Sequence, residues 1–485
     1  LKLVVLPSSA LVRYDYDAYG RFASVTSTVH SMYTYHTQHR YAYLADSGLL
    51  SSISNGSMVS TFNYEPNRDL RTDIETRWGT NLVGSFAYAH DDAGRRTQRV
   101  DSGLITNLFG YNMRSELVDA IMGTNFYAYV YDPIGNRRET SGGSVSNFYE
   151  ANQLNQYSAI SNSLPPSSAS LQYDLDGNLV FDGTWTYAWD AENRLVGVSP
   201  ATTNVGSVRL SFAYDYMSRR VVKRVETHDG SAWSNTLTVL YTYDGWNMVC
   251  EDASDVPKDN YYVWGLDLSG TLQGAGGVGG LLARVCADNI TQPLYYSCDA
   301  NGNVTDVLDK NGAVVAHYEY DPYGNIVAQS GDRADDNPFR FSSKYWEGEA
   351  GFYYYGFRYY STEMGRWFNR DPIEESGNMN LYVTAGNNTL CWYDILGLIE
   401  IDPFKVTDES LRQIPEINAL YDKAKIEDLY TAAFYQKIAR SLCLPRRTYK
   451  ETMFYGENNM GATDAKWNDD DIRRKFNEEY ERRKP

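Results

Sequence analysis

The stretch Tyr320-Asp321-Pro322-Tyr323-Gly324-Asn325 is the clearest copy of a phrase that recurs along most of this chain. Residues 16–21 and 131–136 repeat it closely, and looser copies share its tyrosine. The looser copies begin at Tyr64, Tyr88, Tyr111, Tyr149, Tyr173, Tyr214, Tyr243 and Tyr296. Several neighbouring copies lie roughly 20 residues apart, a spacing typical of stacked supersecondary units. The repeat therefore predicts an array and not a single-cored enzyme.

Short strands alternate with turn residues through residues 1–337. Residues 86–90, 185–189 and 237–243 are rich in aromatic and β-branched side chains, as strands are. Between such runs, Asn-Gly and Asp-Gly pairs supply the positive φ angles of tight hairpins. We expect each repeat to be a hairpin in which Tyr-Asp ends a strand, Gly turns the chain, and Asn or Arg opens the next strand. Stacked hairpins predict a mainly β fold with one long antiparallel sheet that curls or closes to protect its edges.

Tyrosine is the outlier of the composition, with 42 residues against 17 Phe and 10 Trp. A tyrosine ring suits a buried pleated face, and we expect its hydroxyl to face water. The net charge of -18 argues against a nucleic-acid or anionic-membrane surface on the array. Five cysteines without CxxC spacing argue against a disulfide scaffold or a zinc site, and no cofactor or metal is expected.

No apolar run is long enough to predict a membrane span. The chain begins at Leu1 and not at a methionine, so we expect an N-terminus that has been truncated.

The character of the chain changes twice near its C-terminal end. Residues 338–398 contain a dense aromatic run at 352–360 that is unlike the preceding repeats. After residue 398, apolar residues recur at helical spacings from 416 to 442, and a charged helix is predicted near 469–483. The sequence thus predicts a repeat array at 1–337, a distinct core at 338–398 and a small helical segment at 399–485.

The repeats and the core resemble the RHS/YD-repeat family, of the polymorphic-toxin and toxin-complex C-subunit type. The resemblance covers roughly residues 10–398 and is most specific in the RHS repeat-associated core. The core motifs read Arg358-Tyr359-Tyr360-Ser361, Gly365-Arg366-Trp367, Arg370-Asp371-Pro372-Ile373, Gly377-Asn378-Met379-Asn380-Leu381-Tyr382 and Asp394-Ile395-Leu396-Gly397-Leu398.

This resemblance implies a spiralling β-sheet that forms a hollow shell, plugged at one end by the core. It implies that the variable C-terminal domain is cargo inside the shell, and that the core is an aspartyl self-protease. Carried over residue by residue, the catalytic roles fall on Asp371 and Asp394, with Arg358 in support. The cut would separate Leu398 from Ile399. The resemblance further implies a secreted or cell-surface protein, a secretion-system or toxin-complex partner, and an immunity protein.

Two carboxylates held close together share a proton at neutral pH, so one can activate water while the other polarises a carbonyl. Arg358 could orient a carboxylate or stabilise an oxyanion. Two positions depart from the family pattern: Ile395 replaces a proline and Glu374 replaces a glycine. The first loses a fixed φ angle, and the second loses a residue that tolerates positive φ and adds a carboxylate.

Other interpretations stay open on the sequence alone. An uncleaved surface or adhesion protein could bind carbohydrate or protein through exposed Tyr and Trp. A remnant of a longer chain would lack part of its shell.

Two further motifs have simpler explanations than the sites they suggest. Residues 274–279 match GxGxxG, but a strand is predicted at 281–285 where a dinucleotide site requires a helix. Residues 174–178 hint at a calcium loop, but Trp185 stands where that loop needs Glu. A packed loop and a hairpin turn, respectively, are expected instead.

Overall fold

The computed structural model describes residues 2–5, 11–30, 34–142, 145–163, 166–253, 259–286 and 292–401. These residues contain 36 strands, β1 to β36, and single 3-10 turns at Phe341–Ser343, Glu374–Ser376 and Ala385–Asn387. None of the described residues forms an α-helix, and none lies in a helix long and apolar enough to cross a membrane. The helices predicted within 416–442 and 469–483 lie outside the described residues.

The first sheet has 16 antiparallel strands that follow one another in sequence order. They are β1 Lys2–Val5, β2 Leu11–Tyr16, β3 Phe22–His30, β4 Thr34–Tyr43, β5 Leu50–Ser54, β6 Met58–Tyr64, β7 Arg71–Trp78, β8 Asn81–His90, β9 Arg96–Asp101, β10 Ile105–Tyr111, β11 Leu117–Met122, β12 Asn125–Tyr131, β13 Arg137–Gly142, β14 Val145–Ala151, β15 Tyr157–Ser163 and β16 Pro166–Ser170.

The second sheet has 14 strands, again in sequence order. They are β17 Gln172–Tyr173, β18 Leu179–Phe181, β19 Trp185–Trp189, β20 Leu195–Pro200, β21 Val208–Tyr214, β22 Arg220–His228, β23 Trp233–Asp244, β24 Asn247–Ala253, β25 Asn260–Trp264, β26 Leu281–Cys286, β27 Leu294–Cys298, β28 Val304–Leu308, β29 Val314–Tyr320 and β30 Ile326–Ser330.

Two small sheets complete the described chain. The core sheet contains β31 Tyr345–Glu347, β32 Phe352–Tyr354, β33 Tyr359–Ser361 and β34 Arg366–Trp367. A terminal hairpin pairs β35 Tyr393–Ile395 with β36 Ile399–Ile401.

The prediction of a mainly β, antiparallel array is confirmed, and the strand expected at 185–189 coincides with β19. The prediction of one continuous sheet is wrong, because the ladder stops between β16 and β17. Leu171 separates these strands, with a buried side chain and an N–H that bonds the Ser158 carbonyl 3.0 Å away. The strand that follows has only two residues, so it pairs with its own hairpin partner β18.

The repeated phrase is a turn closed by the hydrogen bonds of its own aspartate. In one copy, the Asp132 Oδ1 atom accepts the N–H groups of Ile134 and Asn136, at 3.0 and 2.8 Å. Its Oδ2 atom accepts the Asn136 side-chain amide at 2.9 Å. Asp321 makes the same bonds, and in the copy at Asp17 the side chain of Arg21 replaces the amide. Such side-chain mimicry of backbone turns explains why Asp and Asn or Arg recur together.

The expected strand boundaries therefore need a correction. Strand β12 ends at Tyr131 and β13 begins at Arg137, so both Asp132 and Asn136 belong to the turn. The carboxylate bonds reach four residues forward, which is the span of the turn and not of a strand.

Six tyrosines, five of them in copies of the phrase, bond backbone carbonyls, and the expectation that their hydroxyls face water is wrong for these six. Each hydroxyl lies at or near the end of one strand and donates to the first residue of the strand before it. The pairs are Tyr43 to Phe22, Tyr111 to Arg96, Tyr131 to Leu117, Tyr214 to Leu195, Tyr243 to Arg220 and Tyr320 to Val304. Their distances run from 2.6 to 2.9 Å. One turn is thereby joined to the next along the array.

The main hydrophobic core contains residues from both large sheets and from residues 339–368. The aromatic run at 352–360 supplies β32 and β33, whose side chains are all buried. Polar contacts also join the array to the core: the Tyr354 hydroxyl accepts the Arg220 N–H at 2.9 Å, and the hydroxyls of Tyr214 and Tyr359 lie 2.7 Å apart. These contacts attach the core sheet to the array. They therefore fix the positions of the loops that connect the short strands of the core sheet.

Candidate functional site

The loops of the core sheet bring together the three site residues that the resemblance implied. Arg358 lies between β32 and β33, Asp371 follows β34, and Asp394 lies within β35. All three are buried, with exposed fractions of 1%, 7% and 4%. Charged side chains are seldom buried to this extent without partners.

Arg358 is the hub of the group. Its Nη2 atom lies 2.7 Å from Asp371 Oδ2 and 3.5 Å from Asp394 Oδ2. Its Nε–H bonds the Gly397 carbonyl, and Nη1 donates to the Leu381 carbonyl at 3.2 Å. The Nε atom of Arg358 is thus occupied by the backbone, and Nη2 is occupied by the two carboxylates. The geometry therefore favours a role for Arg358 in orienting the carboxylates over a role in binding an oxyanion.

The two carboxyl groups have perturbed acidities. Burial raises the pKa of Asp371 to about 7; Arg358 opposes that rise and Asp394 adds to it. Burial also raises the pKa of Asp394, against the opposing effects of Arg358, of the Leu398 and Gly397 N–H groups and of Lys344. A coupled pair of this kind holds a proton at neutral pH. The donors around Asp394 favour its ionised form, which leaves the proton on Asp371.

The Leu398–Ile399 bond follows the turn of the terminal hairpin. Leu396 and Gly397 occupy the turn with φ angles of +62° and +76°. The Leu398 N–H donates to the Ile395 carbonyl at 3.1 Å and to Asp394 Oδ1 at 2.9 Å. Gly397 also needs to be small, because a Cβ there would lie 3.0 Å from the Cβ of Arg358.

Asp371 lies near the Leu398 carbonyl, which belongs to the proposed scissile bond itself. Its Oδ2 atom and the Leu398 carbonyl oxygen lie 3.1 and 3.4 Å from the point that a Cβ on Gly377 would occupy. Glycine at 377 thus leaves space between a carboxyl oxygen and the carbonyl of the bond. A carboxyl group in that place can polarise a carbonyl when it is protonated.

Water can reach the site from a cavity of about 660 Å³ that Asp371 helps to line. Asp176, Arg194, Asn369 and Glu374 also line this cavity. Asp371 therefore lies at the boundary between the solvent-filled space and the buried Arg358.

The two departures from the family pattern have different consequences. Glu374 has a φ of +55°, so the position does require the left-handed conformation that glycine adopts without strain. Its side chain is exposed and lines the cavity beside Asp371. Ile395 closes the hairpin turn through its carbonyl, which any residue supplies. The turn therefore forms without proline.

Sequence reasoning missed three residues around this group. The Trp367 ring lies under the Arg358 guanidinium, whose carbon is 4.4 Å from the ring centroid. Gly377 provides the space described above. Lys344 is buried and interacts electrostatically with Asp394. Trp367 and Gly377 stand inside quoted motifs, but nothing near Lys344 in the sequence marks it.

Comparisons with known proteins agree with this architecture. The family described as Teneurin YD-shell matches residues 283–390. The tRNA3(Ser)-specific nuclease WapA of Bacillus spizizenii is 28% identical over 54% of this chain and 10% of its own length. The double-stranded DNA deaminase toxin A of Burkholderia cenocepacia is 25% identical over 68% of this chain and 23% of its own. Toxin subunit YenC1 of Yersinia entomophaga is 29% identical over 56% of this chain and 28% of its own.

This chain therefore spans between about a tenth and a quarter of these relatives' length. The crystal structure of TcdB2-TccC3 superposes with a TM-score of 0.61 at 17% identity, covering 81% of this chain and 21% of that one. That likeness establishes a shared β-shell fold. Together with the tyrosine phrase and the YD-shell match over residues 283–390, it shows that this chain is similar to RHS/YD-repeat proteins.

Proposed function

We propose that this chain is part of the shell of a polymorphic toxin and that its core cuts the Leu398–Ile399 bond. Residues 399–485 are then the cargo that the cut releases from the shell. Relatives that are toxin subunits support a secreted role beside a toxin-complex or secretion partner, with an immunity protein for the cargo.

A single arrangement carries the proposal: two buried carboxyl groups share Arg358 and lie near the two backbone polar groups of Leu398. Asp394 accepts the Leu398 N–H, while Asp371 Oδ2 and the Leu398 carbonyl oxygen border the same space, 3.1 and 3.4 Å from the point that a Cβ on Gly377 would occupy. Isolated buried aspartates usually shape turns. Here both of them also lie near Leu398, the residue before the bond that the family pattern selects.

The proposed chemistry is hydrolysis with two proton carriers. The Asp394 carboxylate takes a proton from water as the water oxygen bonds to the Leu398 carbonyl carbon. Asp371 gives its proton to the carbonyl oxygen, which neutralises the tetrahedral intermediate. The C–N bond then breaks, Asp394 passes its proton to the Ile399 nitrogen, and the oxygen returns a proton to Asp371. Each chain cuts itself once.

Intact mass spectrometry of the purified full chain tests this proposal. We expect a C-terminal fragment that begins at Ile399 and stays with the rest of the chain until denaturation. Asp371→Asn and Asp394→Asn should each remove the fragment, since Asn keeps the size but cannot carry the proton. Asp299→Asn is the matched control, because Asp299 is equally buried but holds a repeat turn.

Two outcomes would contradict the proposal. The wild-type fragment pattern in both site variants would show that another protease makes the cut. A single intact band from the wild-type chain would favour the uncleaved surface-protein alternative, and glycan binding would then be the property to measure.

A further inference from the structure

The glycine-rich loop at residues 274–280 packs against the hairpin turn before the proposed cut. A Cβ on Gly276 would lie 3.2 Å from both the backbone nitrogen and a side-chain carbon of Leu396. On the other side of the turn, a Cβ on Gly356 would lie 3.3 Å from the Leu396 carbonyl oxygen. Leu396 therefore packs between two glycines, and a methyl group on either one would push against the turn.

Lys344 joins this loop to the core. Its Nζ atom donates to the Gly276 carbonyl at 2.7 Å and lies 5.2 Å from the centre of the Tyr355 ring. The residue is 6% exposed, and no salt bridge within 4 Å is found for it among the described residues. A buried ammonium group without a close carboxylate is costly, so its position calls for a reason.

Two acidic groups act on Lys344 from the elements packed around it. Burial lowers the pKa of Lys344 to about 8, against the opposing fields of Asp394 in the hairpin and Asp267 before the loop. In return, the Lys344 charge favours the ionised form of Asp394, as do Arg358 and the Leu398 N–H.

Asp267 shapes the loop itself. Its Oδ2 atom accepts the N–H groups of Ala275 and Gly277, at 2.7 and 3.1 Å. Burial raises the pKa of Asp267 to about 6 against these bonds and those from Ser269. The loop thus carries one buried acid of its own and presents the Gly276 carbonyl to Lys344.

We propose that Lys344 and the loop at 274–280 are the positioning element of the self-cleavage site: the loop fixes the Leu396 turn, and Lys344, bonded to the Gly276 carbonyl, anchors the loop and places a buried positive charge behind the hairpin that carries Asp394. This inference rests on the proposed function and extends it to the GxGxxG motif. Lys344 is a positioning residue, because it acts through Asp394 and touches no reacting atom.

The pH profile of cleavage separates this role from a purely structural one. The full chain is made by cell-free translation, diluted into buffers from about pH 5 to about pH 9, and followed by the amount of C-terminal fragment over time. Lys344→Met keeps the length of the side chain but removes its charge, so ionisation of Asp394 should need a higher pH. We expect the acidic limb of the rate profile to move up by about one pH unit. Lys344→Arg should leave the limb in place, and thermal melting verifies that each variant folds.

A glycine pair tests the loop without changing any charge. Gly276→Ala places a methyl group against Leu396 and should slow cleavage by roughly tenfold or more at every pH, as about 1 Å of misplacement can. Gly270→Ala is the matched control: its φ of +72° is close to the +60° of Gly276, but nothing lies within 4 Å of its Cβ. Both substitutions cost similar backbone strain, and only one reaches the turn.

The outcomes distinguish this inference from the proposed function. If Asp371→Asn and Asp394→Asn abolish cleavage while Lys344→Met keeps the wild-type limb, the function stands and the role of Lys344 is wrong. The role of Lys344 is also wrong if Lys344→Met lowers the cleavage rate equally at every pH and the acidic limb of the profile does not move. Equal rates in the two glycine variants overturn the role of the loop. If both Asn variants are still cleaved, the proposed function is wrong, and so is the inference that rests on it.

Discussion

The backbone N–H of Leu398 donates a 2.9 Å hydrogen bond to the carboxylate of Asp394, four residues earlier in the chain. The donor belongs to the residue whose carbonyl would be attacked, and the acceptor is the proposed base. Because the Gly397 carbonyl is bonded to Arg358 as well, both polar groups of the Gly397–Leu398 peptide, the one before the cut, are held by hydrogen bonds. The site is thus built around its own substrate, which suits a reaction that happens once per chain.

Arg358→Lys should abolish efficient cleavage although it keeps the positive charge. A lysine has no planar fork, so it cannot contact both carboxyl groups and the Gly397 carbonyl together. We expect the rate to fall by roughly 100-fold or more, measured as fragment formed with time. Arg340→Lys is the control, because Arg340 is also buried but bonds backbone carbonyls away from the bond. Wild-type rates in Arg358→Lys would exclude it from the site.

Cleavage should slow in alkaline solution. Asp371 must hold a proton to polarise the carbonyl, and burial raises its pKa to about 7. Above that value the protonated fraction falls about tenfold for each pH unit, and the rate should fall with it. Time courses at several pH values measure this limb. A rate that keeps rising to about pH 9 would contradict the assignment of Asp371 as the acid.

Glu374→Gly should stabilise the folded chain. Glu374 holds a φ of +55°, which costs a non-glycine residue about 1 to 2 kcal/mol, and the greater freedom of glycine when unfolded offsets part of the gain. We expect a net gain of about 1 kcal/mol or less, seen as a higher Tm. The comparison is made in the Asp394→Asn background, so that every sample is one intact chain.

Glu375→Gly is the matched control for this change. It removes the same charge from the same 3-10 turn, at a position without positive φ, so its Tm should fall or stay unchanged. A rise in Tm of equal size in both variants would show that the lost charge, and not relief of backbone strain, causes the effect.

Glu347→Gln should destabilise the junction between the array and the core. Glu347 is fully buried, bonds Arg220 and lies 2.8 Å from the Lys223 ammonium. Although burial works to raise the pKa of Glu347, the two cations lower it, so the group is ionised. Removing its charge leaves the buried Arg220 without its ion-pair partner and Lys223 with Glu349 alone, at a cost of about 3 to 5 kcal/mol.

Thermal melting of the same intact background measures this loss. Glu349→Gln provides the comparison, since Glu349 also lies 2.8 Å from Lys223 but is 29% exposed. Its loss should cost about 1 kcal/mol or less. Equal shifts of Tm in the two variants would show that burial does not set the strength of this network.

Tyr320→Phe should weaken the array by about 1 to 3 kcal/mol. The buried Tyr320 hydroxyl donates to the Val304 carbonyl at 2.7 Å, and its removal leaves that acceptor without this bond. Tyr19→Phe, at a side chain that is 84% exposed, should leave Tm unchanged. Hydrogen exchange at the start of β28 would locate the effect. Equal Tm values for the two variants would show that the tyrosine ring stabilises the repeat without help from its hydroxyl.

The sequence predicted the repeat well because the turn depends on near neighbours. All the side-chain bonds of Asp132 reach no further than Asn136, so the phrase encodes its own conformation wherever it occurs. Its tyrosine was harder to interpret, since the partner carbonyl lies one strand back in the sheet. The interruption at Leu171 was missed altogether, because it depends on which strands pair and not on local preference.

The candidate site was predictable only in part. The family resemblance named Arg358, Asp371 and Asp394 by their motifs, and the structure brings these three side chains together. It offered no sign of Lys344 or of the part that Gly276 plays, because neither residue stands near the core motifs in the chain.

By itself, the sequence determined the turns, the antiparallel array and the identity of the three motif residues. Only the tertiary structure decided that Arg358 reaches both Asp371 and Asp394, and that Gly276 and Gly356 enclose Leu396. Hydrogen bonds within a turn are set by residues a few positions apart, which any stretch of chain carries with it. Contacts across the core arise only when the strands have taken their register and buried their aromatic faces, and that is a property of the whole described fold.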